Sequence, residues 1–397
     1  MIDVDSATRI IFENAVDFGQ ESLLLQNCYG RVLAEEIRAD RDFPPFDRVS
    51  MDGIAIRFAD FADGQREFPL QGVQAAGMPR KTVGDDKVAL EVMTGAILPK
   101  GLDTIVRYED VEKNDGSAVI GADISIKEGQ HVHTKGNDRK SGDLLIGPGR
   151  RISIAELGVA ATVGKTHLRV QRQPKLAVIS TGDELVEVTQ NPMPHQIRSS
   201  NTYAIAGMLQ GRGLDVQRFH FPDDPAHLRE GLGGCLNDFD VVLLSGGVSR
   251  GKYDHVPDAL ESLGVEKLFH RVAQKPGKPF WFGQRRQKCT VFALPGNPVS
   301  AVLCTLRYLL PWLQHSLGFL QQPQYLKLDA DFRFDPPLTY FLQVRRSGAE
   351  EKMRAMPIVG KGSGDLANLV DADGFLELPA DRSQFRAGEA FPFWSYR

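Results

Sequence analysis

Residues 238–255 read DFDVVLLSGGVSRGKYDH. The apolar run Val241–Leu244 is too short for a helix and has polar neighbours on both sides, the pattern of a parallel strand buried on both faces. It stops at Ser245. Gly246 and Gly247 then permit positive φ or close approach of a ligand to the backbone. A loop of this kind at the carboxyl end of a parallel strand presents backbone N–H groups to an anion, and phosphate is the expected guest. Asp254, just beyond the loop, has two readings: it holds a hydrated Mg²⁺ against that phosphate, or it caps the helix predicted to start near Val256.

The surrounding chain repeats the pattern. Leu176–Ile179 is a second apolar run, ended by Ser180-Thr-Gly182, with the adjacent acids Asp183 and Glu184 after it. Helical patterns at 201–212 and 225–237 separate the two runs, which predicts a doubly wound α/β domain with its ligand at the strand ends. Asp223 and Asp224 precede Pro225, the arrangement of a helix start, and capping is the simpler reading of that pair. Downstream, Lys275 and Lys278 sit in Lys-Pro-Gly-Lys-Pro279, where a constrained lysine pair stabilises charge on phosphoryl oxygens or is merely solvated. In Val291-Phe-Ala-Leu-Pro-Gly-Asn-Pro-Val-Ser-Ala301, Pro295 and Pro298 shape the turn, and Asn297 and Ser300 offer hydrogen bonds. Loops after Ile179, Leu244, Val272 and Leu294 together point to a phosphate-bearing ligand.

On either side, residues 1 to about 40 predict mainly helix, with Gly30 as a break, and Pro44-Pro45 marks a boundary. Short alternating segments from Ile54 to about Ile126 predict a small β domain. Three of its flanking loops are notable: Asp52 in the Ser50-Met-Asp-Gly53 turn, Thr94 in Met93-Thr-Gly95, and Asp138 in a glycine-punctuated loop. A turn role is the simpler reading of Asp52 and a solvated loop that of the phrase carrying Asp138, while Thr94 either lines a pocket or belongs to an ordinary loop. A helix over about 151–165 is expected to return the chain to its first part.

Composition excludes several classes. A chain of 397 residues with 42% hydrophobic and 25% charged residues is an ordinary multidomain globular protein. A net charge of −4 gives no general attraction to nucleic acid or anionic membrane. Four cysteines, Cys28, Cys235, Cys289 and Cys304, lack CxxC spacing and read as buried thiols in a reducing cytoplasm, and no stretch has the length of a membrane span. The expected location is cytoplasmic.

Together, the phrases PPFDRVSMDG, MTGAILPKG, STGDEL, SGGVSRGKYD, KPGKP and PGNPVSA closely resemble the MoeA family, also called the molybdopterin molybdenumtransferase or gephyrin E-domain family. The resemblance runs in family order from about residue 5 to the end. It implies an elongated α/β multidomain subunit in four parts: a discontinuous helical domain (1–44 and 139–173), a β-rich domain (45–138), a MogA-like α/β domain (174–321) and a C-terminal β domain (322–397). The implied reaction is Mg²⁺-dependent insertion of molybdate into adenylylated molybdopterin with release of AMP, by a homodimer. Possible metal ligands are then Asp223, Asp224 and Asp254. Asp183, Glu184, Lys275 and Lys278 would act on the reacting groups, and Ser245, Gly246, Gly247, Pro295, Pro298, Arg345 and Ser363 would hold substrate.

By the same resemblance, Asp52, Thr94 and Asp138 reach the α/β domain of the other subunit, and a molybdopterin adenylyltransferase and apo-molybdoenzymes are implied partners. Ser199, Thr339 and Gln343 depart from the residues common in the family. Those departures leave a second reading, a non-catalytic paralogue that binds pterin or nucleotide or acts as a dimeric scaffold. An adenylyltransferase like the isolated α/β relatives is disfavoured by the four-part chain.

Overall fold

A computed structural model describes residues 1–397 except 85–86, 249–254, 287, 320 and 349–352. The chain forms two compact units. One comprises Met1–Ala34, Gly149–Ser153 and His167–Arg397, and the other Glu35–Pro148 with Ile154–Thr166.

The larger unit is built on a six-stranded sheet whose strands we number β1 (Leu176–Thr181), β2 (Val216–Phe221), β3 (Val241–Ser245), β4 (Glu266–His270), β5 (Trp281–Arg285) and β6 (Cys289–Leu294). Their order is β2-β1-β3-β6-β5-β4; the first four are parallel, and β5 and β4 continue the sheet antiparallel. Both faces are covered, and this explains the unbroken apolar runs. Leu176, Val178, Val241 and Leu243 join one core with Leu209, Phe292 and Trp312. The intervening Ala177, Ile179, Val242 and Leu244 join the other, with Leu232 and Leu260. All four residues of Val241–Leu244 are fully buried, each large side chain contributing about 1.5–3 kcal/mol by removal from water. From β1 the chain crosses to β2 on one side and then to β3 on the other, so the carboxyl ends of β1 and β3 flank a topological switch point.

After β6 the chain runs through Pro298–Cys304 (α), Thr305–Leu309 (π) and Leu310–Ser316 (α). Pro311 has no N–H to donate to the carbonyl of Arg307, and a widened turn at this point accommodates that missing bond. Beyond it, Gln324–Leu328, Thr339–Ser347, Arg354–Pro357, Gly374–Leu378 and Ala390–Ser395 pair in a closed ring. Gln274–Lys275 is a short parallel addition to Thr339–Ser347. The loop after Val272 therefore springs from this second sheet rather than from a parallel strand of the α/β sheet.

The smaller unit is mainly β, with a sheet in the order Thr104–Arg107, Gly53–Ile56, Ala89–Val92, Glu67–Gln74, Ser117–Ile120, Val111–Asn114. The helix Ile154–Thr162 belongs to it. The return to the first part of the chain is made instead by His167–Gln171, which pairs antiparallel with Gln20–Leu24.

The expectation of mainly helix up to residue 40 is corrected. Only Val4–Glu13 is a full α-helix there, capped by Asp3. The helix closes at Asn14, and Gly19, at φ +81°, turns the chain into the strand that follows. Residues 20–24 alternate between exposed and half-buried as a strand does, and Ile37–Arg38 pairs with Leu144–Ile146. Strand partners more than a hundred residues away override the local leucine pattern. All four cysteines are buried free thiols, as expected.

Candidate active site

A cavity of about 490 Å³ opens at the switch point. Its walls are the ends of β1, β3 and β6, Asp223 two residues beyond β2, and the Lys275–Pro279 loop. The structure brings Glu184, Asp223, Gly246, Gly247, Lys275, Lys278, Pro295 and Ser363 to this one wall set. Gly246 and Gly247 have φ of +108° and +67°, so the β3 turn needs glycine. A Cβ on Gly246 would sit 3.2 Å from the carbonyl oxygen of Thr181, showing how closely the β1 and β3 ends approach.

Side chains bolt these loops together. Asn201 Nδ2 donates to Ser245 Oγ at 2.8 Å and to the Gly296 carbonyl at 2.7 Å, so Ser245 joins the β3 end to the β6 turn. Asn297 Nδ2 donates to Ser363 Oγ at 2.7 Å. Asp183 does not line the cavity; its Oδ1 accepts the Asp223 N–H at 3.2 Å and so sets the loop that carries Asp223. Pro298 is the first residue of the helix after β6.

The lysine loop is pinned from behind. The Lys278 carbonyl accepts N–H bonds from Val272 and Phe280, each 3.0 Å. Gln274, completely buried, donates to the Gly277 carbonyl at 3.2 Å and accepts from the hydroxyl of Tyr308. Burial holds the Tyr308 phenol well above its ordinary pKa, so it remains a donor, and burial pushes the adjacent Cys304 thiol up to about 12. Both lysine side chains are exposed to the cavity side, while their backbone is fixed.

Other expected residues are placed elsewhere. Asp224 caps Pro225–Asp238: its Oδ1 accepts from the N–H groups of Ala226 and His227 and lies 2.7 Å from His227 Nδ1. Those bonds, the one from the His227 N–H first and that to the His227 ring second, lower its pKa. Its carboxylate is thus engaged at a helix start, and it is not among the cavity-lining residues. Asp254 lies outside the described residues. Arg345 holds its own neighbourhood through the Asp371 carbonyl at 2.8 Å and is also absent from the cavity wall. Gln343 accepts from Asn368 at 2.8 Å, Thr339 is buried beside Gln274, and Ser199 is buried 3.1 Å from the Thr202 hydroxyl.

In the smaller unit, Asp52 Oδ1 accepts the Thr94 N–H at 2.6 Å, uniting two of the expected residues. Asp138 stands 2.9 Å from His133 Nε2, whose Nδ1 lies 3.1 Å from Arg48. A guanidinium only donates, so His133 Nδ1 accepts and its Nε2–H donates to Asp138.

Sequence reasoning missed Thr181, Asn201 and Gln274. Thr181 Oγ1 and Asn201 Oδ1 are buried without a partner among the described residues, and Thr181 lines the cavity. An unpaired buried oxygen at a cavity wall invites a donor or a cation. Among the described residues no three His, Cys, Asp or Glu side chains form a self-sufficient metal group. Mg²⁺ needs less, since it keeps several waters and takes one or two carboxylates plus substrate phosphate. Glu184, Asp223 and Thr181 supply oxygen donors of that kind.

Comparison with known proteins agrees with this geometry. Residues 2–164 match the family described as MoeA N-terminal region (domain I and II), 177–315 the one described as probable molybdopterin binding domain, and 325–396 the MoeA C-terminal region (domain IV). The chain is 40% identical over 399 residues to a molybdopterin molybdenumtransferase of Synechocystis, covering all of both chains. It is 30% identical to one of Staphylococcus epidermidis, covering 98% of this chain and 94% of that one. The crystal structure of a molybdopterin biosynthesis MoeA protein from Pyrococcus horikoshii superposes with a TM-score of 0.84 at 30% identity, covering 100% and 99% of the two chains. A doubly wound domain with its cavity at the switch point, three family matches in order and full-length identity together show that the chain belongs to the MoeA family of molybdopterin molybdenumtransferases.

Proposed function

We propose that this protein inserts molybdate into adenylylated molybdopterin in a Mg²⁺-dependent step that releases AMP. The observation that carries this reading is the single cavity wall on which Lys275 and Lys278 meet Glu184 and Asp223 beside the Gly246-Gly247 turn. The glycine turn and Ser245 hold the phosphate portion through backbone and hydroxyl donors. Lys275 and Lys278 neutralise molybdate and the oxygens of the breaking phosphoanhydride. Mg²⁺ bound by Glu184 and Asp223, with Asp254 as a further ligand, would polarise the phosphate oxygens. Asp183 positions Asp223, and Ser363 is held at the rim by Asn297.

The reading includes a cytoplasmic homodimer, in which Asp52, Thr94 and Asp138 of one protomer serve the α/β domain of its partner. It retains the division into 1–44 with 139–173, 45–138, 174–321 and 322–397. Molybdopterin adenylyltransferase upstream and apo-molybdoenzymes downstream complete the set of partners. Among the described residues no helix is long and apolar enough to cross a membrane.

The test is AMP release from purified adenylylated molybdopterin under anaerobic conditions, with and without Mg²⁺ and molybdate. Release that needs both is the expected result; binding of the pterin without release would favour a non-catalytic paralogue. The two neighbouring aspartates separate chemistry from capping. Asp223→Ala is expected to abolish most turnover with little change in melting temperature. Asp224→Ala is expected to lower the melting temperature by a few degrees and leave turnover within twofold or so. Parallel thermal melts and AMP assays of the two variants check this.

A further inference from the structure

A second cavity, of about 400 Å³, lies in the larger unit and shares no lining residue with the first. Arg31, Arg151, Arg212, Arg346 and Arg397 reach it from separate stretches of chain, and no aspartate or glutamate is among its described lining residues. Their charge is only partly answered. Arg31 Nη2 pairs with Glu21 at 2.5 Å, yet its buried Nε has no partner among the described residues. One carboxylate, Asp373, is shared by Arg346 at 3.9 Å and Arg397 at 4.0 Å. Arg151 and Arg212 are ion-paired to no carboxylate among the described residues. Arg212 is exposed as a residue, but partial desolvation of its guanidinium, and then the charge of Arg151, lower its pKa. Among the described residues, five guanidinium groups meet only two side-chain carboxylates, Glu21 and Asp373, and like charges at a part-desolvated wall cost free energy unless an anion joins them.

Part of the lining is apolar. Leu306 and Leu310 come from the π-helical turn and the residue after it, and Phe393 closes the side; all three are buried residues. A π-helical turn recurs at functional sites. Gln171, Gln173 and Gln314 add amide groups to the lining. The volume suits a small molecule rather than a macromolecular surface. Guanidinium forks match phosphate oxygens in pairs.

We propose that this cavity binds a small organic phosphate, with its anionic oxygens on Arg151, Arg212 and the free Nε of Arg31 and its apolar body against Leu310 and Phe393. The site is independent of the reaction proposed above, and so is its test. Phenyl phosphate and inorganic phosphate are titrated calorimetrically into the full chain and into Arg151→Ala, Arg212→Ala and Arg212→Lys. Phenyl phosphate is expected to saturate the wild type, at least about tenfold tighter than inorganic phosphate because only it uses the apolar part of the lining. Each alanine variant of the arginines weakens it about tenfold or more, and Arg212→Lys falls between. Arg151 and Arg212 are exposed, and unchanged tryptophan emission confirms that their variants are folded. Failure to saturate, equal affinity for the two phosphates, or wild-type affinity in both arginine-to-alanine variants would each overturn the proposal.

Discussion

Alanine at Lys278 is expected to cost roughly 10²- to 10³-fold in AMP release, the usual effect of removing one fixed donor to developing oxyanion charge. The size follows from what is already fixed. The Lys278 carbonyl is held by two N–H groups at 3.0 Å, and the loop is tied by Gln274 to Gly277. The ammonium therefore starts from an immobile base, and its stabilisation of charge requires little rearrangement during reaction. Its side chain is exposed, so the melting temperature should stay put. Lys275→Ala is expected to fall less, because the Lys275 ammonium is 5.6 Å from the Phe334 ring centre and divides its time with that face. Single-turnover rates with saturating substrate separate the chemical step from binding. A Lys278→Ala enzyme with a wild-type single-turnover rate would return the residue to the solvated class.

How far the fold was legible depended on whether burial was two-sided. The runs at 176–179 and 241–244 were readable because sheet neighbours and helices cover both faces, so no polar residue interrupts them. Gln20–Leu24 was misread because its two faces differ only slightly, and its partner strand is about 150 residues away in sequence. The candidate site divides in the same way. Glycines and acids after apolar runs marked the cavity wall, since strand ends are where chain direction must change. Local sequence did not separate Asp223 from Asp224; one extra residue places the second at the helix cap and the first at the cavity. Nor did it indicate that Gln274 is buried between Tyr308 and Gly277, because such a bond exists only once the helix after β6 has packed.

Arg307→Met is expected to destabilise the larger unit by about 3–5 kcal/mol, the cost of leaving one member of a buried ion pair without its partner. Arg307 and Glu377 have side chains only 9% and 13% exposed, joined at 2.7 Å and 3.2 Å by two hydrogen bonds. Burial opposes the charge on Arg307, and the Glu377 carboxylate more than offsets it, so its pKa stays above the ordinary value. Glu377 also accepts from Trp394 Nε1 at 2.7 Å, and the guanidinium carbon lies 4.7 Å from the Trp394 ring centre. One substitution thus strands a carboxylate between the helix after β6 and the C-terminal sheet. Arg307→Met with Glu377→Gln should recover a large part of the loss, since the amide is neutral yet can still accept from Trp394. All three tryptophans, Trp281, Trp312 and Trp394, are in the larger unit, so urea titration followed by tryptophan emission reports on it alone. Tyr308 follows Arg307 and holds Gln274 behind the lysine loop, so AMP release should fall with stability in the single variant and return in the double. A single variant within about 1 kcal/mol of wild type would show that the pair is not desolvated enough to matter. Recovered stability with unrecovered turnover would place the guanidinium itself, rather than the packing of this turn, behind the lysine loop.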